Sequence, residues 1–193
     1  MAGTPSTMLD LGTALPPFRL RDLDGKAVTS NDLINSKGAL VAFICPHCPY
    51  VRHVRGEFAR LATEFQRRGI AVVAINANDA TAFPEDNPEG MRKEAKEVGY
   101  TFPYLYDETQ EVAKAFKAAC TPDFFLFDGR QRLAYRGQFD DSRPGSPTPV
   151  TGKDLQAAVE ALLAGTPVAA DQRPSVGCNI KWMKGAEPDY FRA

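Results

Sequence analysis

The stretch ALVAFICPHCPYVRHV, residues 39–54, changes from a continuous apolar run to a helical pattern across two cysteines, Cys45 and Cys48. The run from Ala39 to Ile44 is typical of a central strand that is covered on both faces. After the cysteines, apolar residues recur at spacings of three and four, as on one face of a helix; they are Val51, Val54, Phe58, Leu61 and Phe65. A second apolar run, Ile70 to Ile75, follows, and the order strand, helix, strand predicts a parallel crossover unit.

The composition is that of an ordinary globular chain. It has 193 residues, of which 44% are apolar and 24% charged, with a formal net charge of -1. This charge gives no reason to expect nucleic acid or an anionic membrane as a partner. Four cysteines are too few for a disulfide scaffold, so a chemical role is favoured. The sequence shows neither a signal-peptide pattern nor a bilayer-spanning run, so we expect a cytoplasmic protein.

The predicted elements indicate one α/β domain over residues 1–193 with an addition at each end. A hairpin over about 15–34 turns at Asp24-Gly25, and the core spans about 37–164. The last residues, about 167–193, show no clear periodicity. We predict a C-terminal arm there that wraps the domain and is anchored by Trp182.

The position of the cysteine pair favours redox chemistry. Functional sites of open parallel sheets lie at the carboxyl ends of strands, where Cys45 falls. The free N–H groups and the dipole of a following helix favour a thiolate, so we expect a lowered pKa and a nucleophilic role for Cys45. Cys48, one turn further, can resolve a mixed disulfide. His47 adds a tunable positive charge, and Pro46, expected in the first helical turn, restricts the loop.

The cysteine pair is also compatible with two roles that involve no redox chemistry. The cysteines can be inert and simply buried close together. They can also be half of a zinc site, which needs about four ligands. The remaining ligands would come from His53, Cys120 or Cys178, but there is no second CxxC and no HxxxH. We therefore predict no metal.

The segment Cys120-Thr121-Pro122 precedes a predicted strand, DFFLF. A proline at such a tight entry is a candidate for a cis peptide bond, although the spacing alone favours an ordinary trans proline. A cis turn would leave the backbone of Thr121 free to pair with an extended substrate peptide.

Together these segments resemble the thioredoxin-fold redoxin superfamily, and within it a peroxiredoxin-like group of bacterial and plant proteins. The resemblance covers about residues 15–182. Its motifs are CPHCPYV, INANDATAFPED, GYTFPYLYDE, CTPDFFLFD, YRGQFDDSRPG and PSVGCNIKW. It implies a thioredoxin fold, in which a central mixed sheet is flanked by helices.

The resemblance also implies roles for residues of this chain. Cys45 matches the attacking cysteine and Cys48 the resolving one. Pro122 matches the cis-proline, and Thr121 the residue whose backbone meets the substrate. Pro46, with His47, resembles the middle dipeptide of strongly oxidising disulfide oxidoreductases.

Two features depart from the wider superfamily. The Pro and Thr that precede a peroxidatic cysteine are absent, which argues against peroxide reduction by that mechanism. The carboxylate that thioredoxins bury in the strand before the cysteines is also absent from ALVAFI. Proton transfer would then use water, His47 or a residue of the loop GQFDDSRPG.

Three further residues are auxiliary candidates. We hypothesise that the arm returns to the active-site face and places Cys178 near Cys120, for a second disulfide or a relay; two inert buried thiols are the alternative. Arg143 is the functional candidate in a polar cluster with Gln138, Asp140 and Asp141, which could also be a solvated turn.

The predicted function is thiol-disulfide exchange through a mixed disulfide on Cys45, with no metal or organic cofactor. The expected partners are protein or small-molecule thiols and disulfides. The alternatives are a redox sensor or adaptor without turnover, and a peroxiredoxin-like antioxidant peroxidase.

Overall fold

The computed structural model describes residues 3–191, in which ten strands and four α-helices occur. The strands are β1 (Thr4–Pro5), β2 (Arg19–Asp22), β3 (Ala27–Thr29), β4 (Gly38–Phe43), β5 (Ile70–Asn76), β6 (Tyr104–Tyr106), β7 (Cys120–Thr121), β8 (Asp123–Asp128), β9 (Leu133–Gly137) and β10 (Val176–Asn179). The helices are α1 (Pro49–Arg67), α2 (Pro88–Val98), α3 (Glu111–Ala115) and α4 (Lys153–Leu163).

Seven of these strands form the central sheet, in the order β3-β2-β6-β5-β4-β8-β9. Strand β5 runs parallel to both β4 and β6, whereas the pairs on either side of this trio are antiparallel. The predicted mixed sheet is therefore confirmed. The two apolar runs of the sequence are its adjacent central strands β4 and β5, with Phe43 opposite Ile75 at their carboxyl ends.

The sheet is covered on both faces, which explains why β4 is apolar at every position. One face holds Leu40, Ala42 and the buried face of α1, together with both cysteines. The other holds Val41, Phe43 and the aromatic cluster around Phe116. Alternating strand residues thus enter two separate cores.

The N-terminal hairpin extends the sheet beyond β6. The Asp22 carboxylate accepts hydrogen bonds from the backbone N–H groups of Asp24 and Lys26, at 3.0 and 2.8 Å, and so closes the turn. Strand β2 then pairs with β6, which joins the hairpin to the core.

The C-terminal arm contains a strand that its sequence did not predict. Strand β10 pairs antiparallel with β1 and with β7, in a separate three-stranded sheet. Trp182 packs against the second core and meets Tyr190 edge-on, with ring centroids 6.2 Å apart. The domain limits stay a prediction, and their first and last two residues, 1–2 and 192–193, lie outside the described part. None of the helices within residues 3–191 combines the length and apolarity that a bilayer crossing requires.

Candidate functional site

The two cysteines of the motif lie between β4 and α1, and both side chains are 0% exposed. Cys45 follows the last residue of β4 by two positions, and Pro46 and His47 form a turn. Cys48 is the N-cap of α1, and Pro49 is its first residue. The expectation that Pro46 lies in the first helical turn is therefore wrong. Its carbonyl instead accepts a hydrogen bond from Arg52 Nε at 2.8 Å.

Both sulfurs meet Thr121, which lies 76 residues from Cys45 in sequence. Cys45 Sγ is 3.4 Å from Thr121 Oγ1, and the Cys48 thiol donates to the Thr121 carbonyl at 3.1 Å. The Thr121-Pro122 peptide bond is cis. The short strand β7 thus brings one residue against both thiols.

The other side of Cys45 is a polar pocket around His47. His47 Nδ1 is 3.8 Å from Cys45 Sγ and forms a short hydrogen bond with Asp86. Asp86 is fully buried, and it also accepts from the backbone N–H of His47 at 3.1 Å and from Asn78 Nδ2 at 2.7 Å. The ring of Phe83 stacks on His47 at 5.4 Å. The imidazole is therefore fixed beside the Cys45 sulfur.

The pKa shifts of the two cysteines are the reverse of what the sequence predicted for Cys45. Burial raises the pKa of Cys45, and the nearby Asp86 carboxylate raises it further, so the expected lowered pKa is wrong. Hydrogen bonds from the thiols of Cys178 and Cys45 instead lower the pKa of Cys48. The hydrogen bond to Asp86 raises the pKa of His47, which favours an imidazolium next to Cys45. The cluster therefore favours ionisation of Cys48 over that of Cys45, and a Cys48 thiolate would give up the hydrogen bond to the Thr121 carbonyl.

The backbone edge of Thr121 is occupied rather than free. In the pairing of β10 with β7, Cys178 lies opposite Thr121 and Asn179 lies opposite Cys120. The prediction of an open edge for substrate pairing is therefore wrong for this conformation. The arm therefore returns to the active-site face, as hypothesised, but this register places Asn179 rather than Cys178 opposite Cys120.

The Cys120 thiol meets the backbone of its own turn. Cys120 is 0% exposed, and its thiol lies 3.7 Å from the Pro122 carbonyl oxygen. Burial raises its pKa well above the ordinary value. These properties favour the inert alternative for Cys120.

The polar loop after β9 is held by hydrogen bonds among its own residues. Arg143 donates to the carbonyls of Asp140 and Ser142, at 2.8 and 2.6 Å, and to the Gln138 side chain at 2.6 Å. The Ser142 hydroxyl lies 3.1 Å from Nε2 of His53. These contacts favour a structural role for Arg143.

Two more buried carboxyl groups lie near the site. Glu94 on α2 accepts from the Tyr104 hydroxyl at 3.3 Å, and burial raises its pKa to about 7. Asp123 has no hydrogen-bond partner for its side chain within the described residues, and burial raises its pKa well above the ordinary value. Because Phe124 enters the cysteine-bearing core, Asp123 points away from it.

Within residues 3–191, one group of side chains could hold a metal ion. The ligand atoms of Cys45, His47 and Asp86 lie within 4.8 Å of one another. His53, which the sequence offered as a possible ligand, is not among them. The His47 nitrogen that would bind a metal is hydrogen-bonded to Asp86, which fits a proton between the two residues better than a metal.

Asp86, Phe83 and Asn78 are site residues that the sequence did not single out. All three follow β5, whose carboxyl end lies beside that of β4. Because loops at the carboxyl ends of adjacent parallel strands meet, an acid in this loop was an identifiable partner for His47.

Comparisons with known proteins show which family and relatives the chain resembles. The model of the AhpC/TSA family matches residues 11–136. The thiol-disulfide oxidoreductase ResA of Geobacillus thermodenitrificans is 28% identical over 125 residues, 65% of this chain and 67% of that protein. The "Putative peroxiredoxin bcp" of Helicobacter pylori J99 is 26% identical over 110 residues, 57% of this chain and 67% of that protein.

A solved structure covers nearly the whole chain. It is an uncharacterized conserved protein from Geobacillus kaustophilus, 52% identical, with a TM-score of 0.94 over 96% of this chain and 99% of that one. The similarity therefore extends beyond the family match, into the arm that carries Cys178.

Proposed function

The chain belongs to the AhpC/TSA family of thioredoxin-fold oxidoreductases, and from that premise we propose that it exchanges thiols and disulfides through Cys45 and Cys48. The observation that carries the proposal is the meeting of both sulfurs at Thr121, with His47 beside the first of them. Buried structural cysteines have no need of a fixed imidazole at 3.8 Å.

In the oxidising direction, a partner thiolate attacks Cys45 Sγ of the Cys45–Cys48 disulfide. The Cys45–Cys48 bond breaks, and Cys48 leaves as a thiolate. A second partner thiolate then attacks the partner sulfur of the mixed disulfide, so that Cys45 leaves and takes a proton from His47. The partner loses two electrons, and the pair ends reduced, with Cys45 as a thiol and Cys48 as a thiolate.

The charges of the cluster suit this sequence of steps. A thiol of low pKa leaves faster in exchange, and the hydrogen bonds to Cys48 lower its pKa. Attack would therefore place the partner on Cys45, although the pKa of Cys45 itself is raised. The imidazolium of His47 can neutralise the thiolate of Cys45 as it departs.

Access to the pair requires a local opening of the structure, because Cys45 and Cys48 are 0% exposed. The partners we propose are protein or small-molecule thiols and disulfides, with no organic cofactor. Pro46 and Pro122 would line the surface that binds the partner thiol or disulfide. A cytoplasmic location stays a prediction.

Insulin reduction by dithiothreitol in the presence of a chelator tests the proposal. We expect the protein to accelerate it, and Cys45→Ser to abolish the acceleration. Cys48→Ser should accumulate a mixed disulfide on Cys45. Cys120→Ala is the control and should retain activity, because Cys120 is buried and its thiol contacts the Pro122 carbonyl. An active Cys45→Ser variant would contradict the assignment, whereas a wild-type protein that oxidises and reduces without turnover would indicate a sensor.

Peroxide reduction is a second candidate, supported by the peroxiredoxin relative. Thr121 Oγ1 and His47 Nδ1 provide polar groups 3.4 and 3.8 Å from the Cys45 sulfur, at which a peroxide oxygen could bind. Consumption of hydrogen peroxide with a thiol reductant would demonstrate it. Loss of that activity in Cys45→Ser, but not in Cys120→Ala, would assign it to this site.

A further inference from the structure

The arm approaches the cysteine pair as an extended peptide would. Strand β10 pairs antiparallel with β7 and places Cys178 opposite Thr121, the residue that both motif sulfurs contact. Gly177 permits this approach, because a Cβ atom there would lie 2.0 Å from the Thr121 carbonyl oxygen. The chain thus holds one of its own cysteines against its reactive pair.

The three cysteines converge on Thr121. Cys45 Sγ is 3.4 Å from the Thr121 hydroxyl, Cys48 Sγ is 3.1 Å from the Thr121 carbonyl oxygen, and Cys178 lies opposite Thr121 in the pairing of β10 with β7. Gly177 of β10 approaches the same carbonyl oxygen, so Cys48 is the motif cysteine on the side of the arm. Cys178 packs against the core cluster that contains the other two. It is also the one cysteine of the four that is partly exposed.

We propose that Cys178 is a third redox-active cysteine, which forms a disulfide with Cys48 and connects the buried pair to solvent. The inference deepens the proposed function and rests on it. Cys178 is the sulfur that external thiols and disulfides reach while the arm is docked.

The exchange within the protein balances. The Cys178 thiolate attacks Cys48 Sγ of the Cys45–Cys48 disulfide. The Cys48–Cys178 bond forms, the Cys45–Cys48 bond breaks, and Cys45 leaves as a thiolate that takes a proton from His47. One disulfide replaces another, so the protein is neither oxidised nor reduced. An external thiolate can then attack Cys178 Sγ and release Cys48 as a thiolate, with a mixed disulfide left on Cys178.

Disulfide mapping of the full chain tests this inference. The wild type and the variants Cys45→Ser, Cys48→Ser and Cys178→Ser are oxidised with diamide, alkylated, digested without reduction and analysed by mass spectrometry. We expect Cys48–Cys178 to be the main disulfide in Cys45→Ser. Its yield should exceed that of Cys45–Cys178 in Cys48→Ser by about tenfold, because exchange requires contact between the reacting sulfurs.

The outcomes separate the two proposals. If the wild type forms Cys45–Cys48 but Cys45→Ser forms no Cys48–Cys178 bond, the third cysteine is excluded and the proposed function stands. If neither bond forms, the proposed function fails as well. Because the decisive bond is sought in a variant that retains Cys178, loss of arm docking through substitution of Cys178 cannot produce a false negative. Retention of Cys45–Cys48 in Cys178→Ser verifies that the motif pair oxidises without Cys178.

Discussion

The two flanks of the cysteine pair are built in different ways. Beside Cys45, the loop after β5 forms a pocket in which Asp86 holds His47 through charge-assisted hydrogen bonds. Beside Cys48, the neighbour is strand β10, which reaches the site through two residue pairs with β7. The first flank governs protons and charge at Cys45. We expect the second to determine which sulfurs meet and whether solvent reaches them.

The difference implies unequal stability. The pocket follows a strand of the main sheet, and Asp86 is fully buried. The arm is joined to its neighbours by pairings of two residues each, and segments with so few contacts open at lower free energy than core strands. Substitutions in the pocket should therefore affect the whole fold, and substitutions in the arm should mainly affect access to the thiols.

The largest expected effect is that of Asp86→Ala, which removes the acceptor of three hydrogen bonds from His47 and Asn78. We expect the free energy of unfolding to fall by about 3–5 kcal/mol, because a buried ion pair loses one partner and its donors stay buried. The measurement is urea denaturation. Glu85→Ala is the control, since the side chain of Glu85 is 71% exposed and should matter little.

The same variant should change the pH dependence of stability. Asp86 raises the pKa of His47, so the stability from protonated His47 is full below the ordinary value of 6.5. It is lost as the pH rises through the raised value of the folded state. In Asp86→Ala this loss should disappear, and an NMR titration should show a lower pKa for His47. An unchanged His47 titration would show that Asp86 does not hold the imidazole charge.

Another prediction concerns Glu94 on α2, whose side chain is 3% exposed. The unfolded chain releases this proton near the ordinary pKa of 4.5, whereas the folded protein holds it to about 7. Stability from the protonated form is therefore full below about 4.5 and is lost as the pH rises through about 7, by about 3 kcal/mol. Glu94→Gln should remove most of this loss.

Denaturation between acidic and weakly alkaline pH checks the effect. Glu97→Gln is the matched control, because Arg55 also contacts Glu97, at 2.8 Å, but that side chain is 56% exposed. If both variants flatten the profile equally, loss of the contact with Arg55 rather than burial of Glu94 accounts for the result.

The unequal flanks also mark what the sequence could predict. The apolar runs of β4 and β5 and the helical spacing of α1 predicted the crossover, because burial on both faces imposes a readable pattern. The position of the cysteines at the carboxyl end of β4 followed from that unit. The pairing of Asp86 with His47 also depends on the crossover, and it could have been inferred from the order of the strands.

The arm could not be predicted in this way. Strand β10 has four residues and carries no alternating pattern, and its register depends on Gly177 fitting against Thr121. Contacts of this kind arise from tertiary packing over long sequence separations. For the same reason the sequence suggested Cys120 as the neighbour of Cys178. The two arrangements differ by one residue in the register of β10 on β7, because Cys120 directly precedes Thr121, the observed partner of Cys178.

Gly177→Ala should give the smallest effect on stability and the sharpest test of the arm. Its Cβ atom would lie 2.0 Å from the carbonyl oxygen and 2.6 Å from the carbonyl carbon of Thr121, so β10 must move away. We expect a loss of about 1–3 kcal/mol, as for other overpacked contacts. Iodoacetamide should alkylate Cys45 and Cys48 faster, and the diamide-induced Cys48–Cys178 disulfide should decrease. Gly56→Ala on the exposed face of α1, where a Cβ meets nothing within 4 Å, should change neither rate nor yield. If Gly177→Ala leaves both unchanged, the arm does not control access, and the contrast between the flanks is wrong.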